Sequence, residues 1–276
     1  MQTGHAPSDA RDDFARQRRR QVLARLRDTM VGRSASVSMM LPFDEVVEAL
    51  GFRGETRIGL KVVALDSIVG TVSRSAEFDR RFRPTTSQAA VRFQRIDEAL
   101  RRGEEIPPIS VYRIGDLHFV RDGHHRVAVA RALRWKDINA EVTQVLTAIG
   151  PSSSLTLDDL PLKSHERVFW DRIPLPMQWR QEIELSDGDA FGDLAEAIEA
   201  WGFRYMQQHR ELLDRGEVAV AWYTEEYRPA LDLLREADLL GDGSQIEAYM
   251  RLSCQRYQLL RSHTWDDDVL AQLRGA

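Results

Sequence analysis

The chain has 276 residues, 43% hydrophobic and 29% charged, an ordinary globular composition that holds one large domain or two small ones. Its 38 basic and 43 acidic side chains leave a formal charge of -5, which argues against binding nucleic acid over the whole surface and restricts any such role to a local basic patch. No run approaches the roughly 18 apolar residues of a membrane span, the charged stretch from Arg11 to Arg27 leaves no apolar core for a signal peptide, and the lone Cys254 excludes an internal disulfide or a multi-cysteine zinc site, so a cytoplasmic location is expected.

Met1 to Ala10, small and polar with one proline, is expected to be disordered. Asp12 to Thr29 predicts a basic helix in which Arg16, Arg18, Arg19 and Arg20 form a charge run, either a solvated face or an arm for phosphate. Phe43 to Leu50 predicts a short helix, and Gly51 to Gly59 a glycine-punctuated connector. Leu60 to Leu65 is a β-rich run. Ser87 to Arg102 carries apolar side chains at helical spacing and stops at Gly103, before Pro107 and Pro108. Ile109 to Tyr112 and Leu117 to Val120 predict a hairpin turning at Gly115-Asp116. Val127 to Leu133 is an alanine- and valine-rich helix, and Ile138, Ala140 and Val142 alternate as a last strand. The expected order is β-α-β-β-α-β in roughly 85 residues, the size of one small domain.

Gly150 to Ser154 reads as a linker. Beyond it, Gln181 to Leu185 is a candidate strand, while Asp189 to Leu213, Val218 to Leu234 (broken near Pro229) and Ser244 to Ser262 predict helices. Trp201, Phe203, Trp222, Tyr223, Tyr227, Tyr249 and Tyr257 at helical spacing read as core. The predicted organisation is α+β: a helical extension over 1–58, a small mixed-sheet domain over 59–147, a linker over 148–158 and a mainly helical domain over 159–276.

The chemistry concentrates in Asp122-Gly123-His124-His125-Arg126. An apolar strand ends at Phe119-Val120, a glycine turns, and a helix opens. Free backbone N–H groups and the positive end of the helix dipole then converge where an anion fits. Gly123 admits a phosphate close to the backbone, and the forked guanidinium of Arg126 matches two of its oxygens. His125 is suited to donate a hydrogen bond or to act as acid or base. Asp122 is a candidate helix cap, histidine partner or magnesium ligand. The bland alternative is an ordinary Asp-Gly turn. A metal centre of His118, His124, His125 and Asp122 is disfavoured, because neighbouring helix residues point about 100° apart.

Ile106 to Ile109 and Phe119 to Leu133 resemble the second motif block of the ParB N-terminal/sulfiredoxin superfamily, nearest the branch with Asp-Gly-His-His-Arg that includes free serine kinases. Ser67 to Arg74 with Glu77-Phe78-Asp79 resembles its first block, in which an arginine, matched here by Arg74, helps hold the nucleotide. A similar spacing, Ile68-Val69-Gly70, Arg74, Phe78-Asp79 and Phe82 ahead of the turn, occurs in uncharacterised bacterial proteins with a ParB-like domain and a helical tail. The resemblance implies a nucleotide (ATP, ADP or CTP) with magnesium held by Gly123, His124, His125, Arg126 and Arg74. It implies either phosphotransfer to a small hydroxyl-bearing metabolite, with His125 orienting the transferred group and Glu77 or Asp79 as base, or a nucleotide-gated switch. His124 stands where sulfiredoxins carry their cysteine, so sulfinic-acid reduction is not expected. His124 and His125 replace the Glu and Arg of typical ParB proteins, and no helix-turn-helix follows. A DNA-associated regulatory role is the alternative, resting on the basic helix. A homo-oligomer stays open.

Overall fold

The computed structural model describes residues 39–73, 78, 82–83, 93, 95–96, 98–99, 102, 104–241 and 243–275. The basic helix at Arg16 to Arg20, together with Arg74, Glu77 and Asp79, lies outside the described residues. The chain divides into two compact units, one ending at Ser164 and the other beginning at His165.

The first unit is built on a six-stranded mixed sheet. Its strands are β1 (Leu41–Pro42), β2 (Phe52–Ala64), β3 (Ile68–Thr71), β4 (Ile109–Ile114), β5 (Leu117–Asp122) and β6 (Asp137–Thr147), in the order β1-β3-β5-β4-β6-β2. β1, β3 and β5 are mutually parallel, so their carboxyl ends share one edge; β4 runs antiparallel to β5. β4 and β6 are parallel, and β2 closes the far side antiparallel to β6. Helix α1 (Phe43–Leu50) starts after Pro42 with Asp44 and Glu45 in its first turn, where the dipole favours them. It stops at Gly51 (φ 76°), whose N–H returns to Val47. Helix α2 (His124–Ala132) follows β5, and Phe93, Arg95, Ile96, Glu98 and Ala99 are helical. One face of the sheet (Val63, Ile109, Val111, Val120, Ile138, Ala140, Val142) packs with Val127, Ala128, Val129 and Ala130 of α2 into a dry core.

The predicted hairpin is present, with Gly115 at φ 55° in its turn. Of Gly51 to Gly59, expected as a connector, all but Gly51 is instead the first part of the 13-residue β2. The expected Leu60 strand is only its second half, and β3 is an additional strand. An edge strand carries charges on its solvated faces and loses little at glycine-marked bulges. β2 has such irregularities between Phe52 and Gly54 and between Arg57 and Gly59, and that composition concealed it.

The second unit, as described, is helical. Helix α3 (Leu160–Arg172) contains the division; α4 (Met177–Arg180), α5 (Gly188–His209), α6 (Arg215–Ala221), a π-helical turn (Trp222–Tyr227), α7 (Arg228–Glu236), α8 (Gln245–Leu260) and α9 (Asp267–Gly275) follow. The expected strand Gln181 to Leu185 is absent, for Glu182 and Ile183 donate back to Trp179 and Arg180 as a turn. Ile183 and Leu185 alternate because both are buried, not because they pair. Pro229 does not end its helix. The wide π turn just before it accommodates a residue that lacks an N–H and crowds the carbonyl four residues back. Trp222, Tyr223, Tyr227 and Tyr249 are core as expected, whereas Phe203 and Tyr257 are exposed.

Candidate functional site at the turn between β5 and α2

The turn forms where the sequence places it. Gly123 adopts a left-handed conformation (φ 98°, ψ 21°) and is the N-cap of α2. A side chain there is blocked twice. The φ disfavours it, and an added Cβ would stand 2.5 Å from Ile109 Cγ2 and 2.9 Å from Ile109 Cβ. Packing on β4 thus explains this glycine without any ligand. A glycine cap supplies no side-chain acceptor, and no acidic residue lies in the first turn, so the amide end of α2 keeps its positive field unneutralised by its own helix.

His124 points inward, 5% exposed. Its Nε2 lies 2.6 Å from Oγ1 of Thr71, the last residue of β3, itself buried. That hydroxyl also lies 3.2 Å from the Val120 carbonyl, contacts the Ser73 carbonyl, and accepts from the Ser73 N–H at 3.1 Å. His124 Nε2 and the Thr71 hydroxyl thus share a buried hydrogen bond whose direction follows the tautomer of the ring. Phe78 stacks on His124 and meets His125 edge-on, with ring centroids 6.2 and 5.2 Å apart. Both histidines are therefore interior. His124 ties the carboxyl end of β3 to the turn that follows β5, and neither ring is presented at the surface.

Arg126 departs furthest from the expectation. Its guanidinium turns back, donating through Nη1 to the carbonyls of Pro107 (2.8 Å) and Pro108 (2.7 Å), and through Nη2 to Asp122. Its side chain is 16% exposed, that of Asp122 73%. A cation in the first turn of a helix sits at the wrong end of the dipole, and Asp122 offsets it. Asp122 does not cap α2; its carboxylate serves Arg126. The expected phosphate fork is in this structure a brace between the strand–turn–helix and the Pro107-Pro108 segment.

His118 is remote from this arrangement. It lies on β5, its Nδ1 2.9 Å from Ser67 Oγ. Burial, with Arg113 nearby, pushes its pKa down to about 4, so the ring is neutral at ordinary pH. Among the described residues no three His, Cys, Asp or Glu side chains gather to hold a metal ion. Sequence reasoning missed Thr71 and the two proline carbonyls. Thr71 lies inside the first motif block and ends an apolar run, the one available hint.

No family model and no curated protein matches the chain. Among solved structures it is similar to one titled "Structure of the pNOB8-like ParB N-domain", 13% identical, over 75% of this chain and 77% of that one, with a TM-score of 0.22. At that identity and score the two folds are not shown to be the same. The chain has a mixed α/β unit and a helical unit, and in the described residues no helix is long and apolar enough to cross a membrane.

Proposed function

We propose that the turn from Asp122 to Arg126 binds the phosphate of a nucleotide through the amides that open α2. The observation carrying this reading is the start of α2, at a positive-φ glycine with no acid in its first turn, at the edge where β1, β3 and β5 end. In open sheets with parallel strands that edge is where ligands are held. The motif resemblance to nucleotide-binding ParB-like domains points the same way. Arg126 in this reading is a positioning residue: it holds the turn so that the amides converge. Arg74 supplies the cation for the phosphates, with magnesium neutralising the rest. Phosphotransfer to a hydroxyl-bearing metabolite, with Glu77 as base, is the activity this arrangement would support.

The test is a melting-temperature panel of ATP, ADP, CTP and inorganic phosphate with and without magnesium, paired with amide NMR. A ligand at about 100 times its Kd stabilises by about 2.7 kcal/mol, which at about 2–4 °C per kcal/mol raises Tm by about 5–10 °C. The amides of Gly123 to Val127 should shift with saturation. No stabilisation by any nucleotide, or shifts confined to other residues, refutes the proposal.

A further inference from the structure

β2 is the outermost strand of the sheet and is exposed along almost its whole length; of Phe52–Ala64 only Val63 is buried. Among the described residues its outer edge pairs with no strand, and it contains no proline to blunt that edge. Phe52, Leu60 and Val62 are 56%, 57% and 71% exposed, a large apolar display for an edge strand. Such an edge is a template for another strand.

The sequence of β2 selects which strand. Phe52, Glu55, Arg57, Leu60 and Val62 stand opposite Thr147, Val145, Thr143, Glu141 and Asn139 of β6, alternate residues of a regular strand, so all five share one face. An antiparallel second copy of β2, with the twofold axis at Thr56, sets Glu55 opposite the second copy's Arg57 and Arg57 opposite its Glu55. The two irregularities fall one on each side of Thr56, so the count to Phe52 equals the count to Leu60. Phe52 therefore meets the second copy's Leu60, and the reverse. Two ion pairs and two apolar pairs follow from one axis. Parallel in-register pairing would instead oppose Glu55 to Glu55 and Arg57 to Arg57, and an axis at Lys61 would oppose two lysines. Arg57 already reaches Glu141 at 3.2 Å, on the same face, and the second copy's Glu55 extends that pair into a network.

We propose that this chain self-associates through antiparallel β2–β2 pairing centred on Thr56, giving a continuous twelve-stranded sheet from two six-stranded ones. The experiment is sedimentation velocity on the full chain. The unmodified chain dimerises reversibly. Glu55→Arg and Arg57→Glu each oppose like charges at both pairs and raise the dissociation constant by at least about tenfold. An equimolar mixture of the two variants restores opposite charges at both pairs and forms a heterodimer. Mixing alone also attracts nonspecifically, so a second measurement fixes the register. Directly opposed antiparallel Cα atoms lie about 4.5–5.5 Å apart, within disulfide reach. Thr56→Cys in a Cys254→Ser background cross-links on mild oxidation, and Val62→Cys in the same background does not. A chain monomeric up to its solubility limit overturns the proposal. So does a dimer indifferent to both charge variants, or cross-linking at Val62→Cys in place of Thr56→Cys.

Discussion

Removing Arg126 decides whether its guanidinium is a brace or a ligand grip, because only a brace matters to the ligand-free protein. Arg126→Ala deletes two bonds from a charged donor to the Pro107 and Pro108 carbonyls. Such bonds are worth about 1.5–3 kcal/mol each. Both prolines are exposed, so water re-solvates the freed carbonyls, and the lower end applies. Removing a cation from the first turn returns about 0.3–1 kcal/mol, and the lost pair with the exposed Asp122 costs a similar amount. The net expectation is a loss of about 2–3 kcal/mol, against under about 1 kcal/mol for Asp122→Asn. Arg126→Lys, a point charge without the fork, recovers less than half of the deficit. The assay is urea denaturation without ligand, with hydrogen exchange of the α2 amides reporting this unit specifically. If Arg126→Ala costs less than about 0.5 kcal/mol, the range of ordinary surface changes, or if Asp122→Asn costs as much, the brace is refuted.

Gly123→Ala should destabilise by about 2–5 kcal/mol, from about 1–2 for the left-handed conformation and about 1–3 for overpacking on Ile109; a loss below 1 in the same urea assay would mean the turn relaxes freely. Thr71→Val removes the hydroxyl that bonds His124 Nε2 and should cost about 1–3 kcal/mol, whereas Thr71→Ser, which keeps the hydroxyl, should retain most of the stability; equal losses would show that packing, not the hydrogen bond, is at stake. His118 ionises at 6.5 when unfolded and at about 4 when folded, so its effect is absent above pH 6.5 and stability falls as pH drops from 6.5 towards 4. His118→Asn should flatten that part of the pH–stability curve; an unchanged slope would assign the loss to other groups.

Short-range features were legible because local chemistry enforces them. A two-residue turn between alternating strands admits Gly115, and an apolar strand followed by Asp122-Gly123 and an alanine-rich run has to turn and become helix. β2 was misread for the opposite reason. At an edge the environment asks little of the sequence, and Gly54, Gly59, Arg53, Glu55 and Arg57 satisfied a loop template equally well. The pair Ile183 and Leu185 alternates like a strand because both side chains are buried, while the backbone N–H groups of Glu182 and Ile183 turn back to Trp179 and Arg180.

The amino-acid order alone determined that a helix starts after Gly123 with no acid in its first turn, since φ, capping and dipole are properties of a few adjacent residues. Where the side chains of that turn go was decided only by tertiary structure. Arg126 finds carbonyls 18 and 19 residues earlier, and His124 a hydroxyl 53 residues earlier, partners that folding alone brings within hydrogen-bonding distance. A guanidinium or an imidazole settles on whichever acceptors the packed chain offers it, and no local pattern announces which those are.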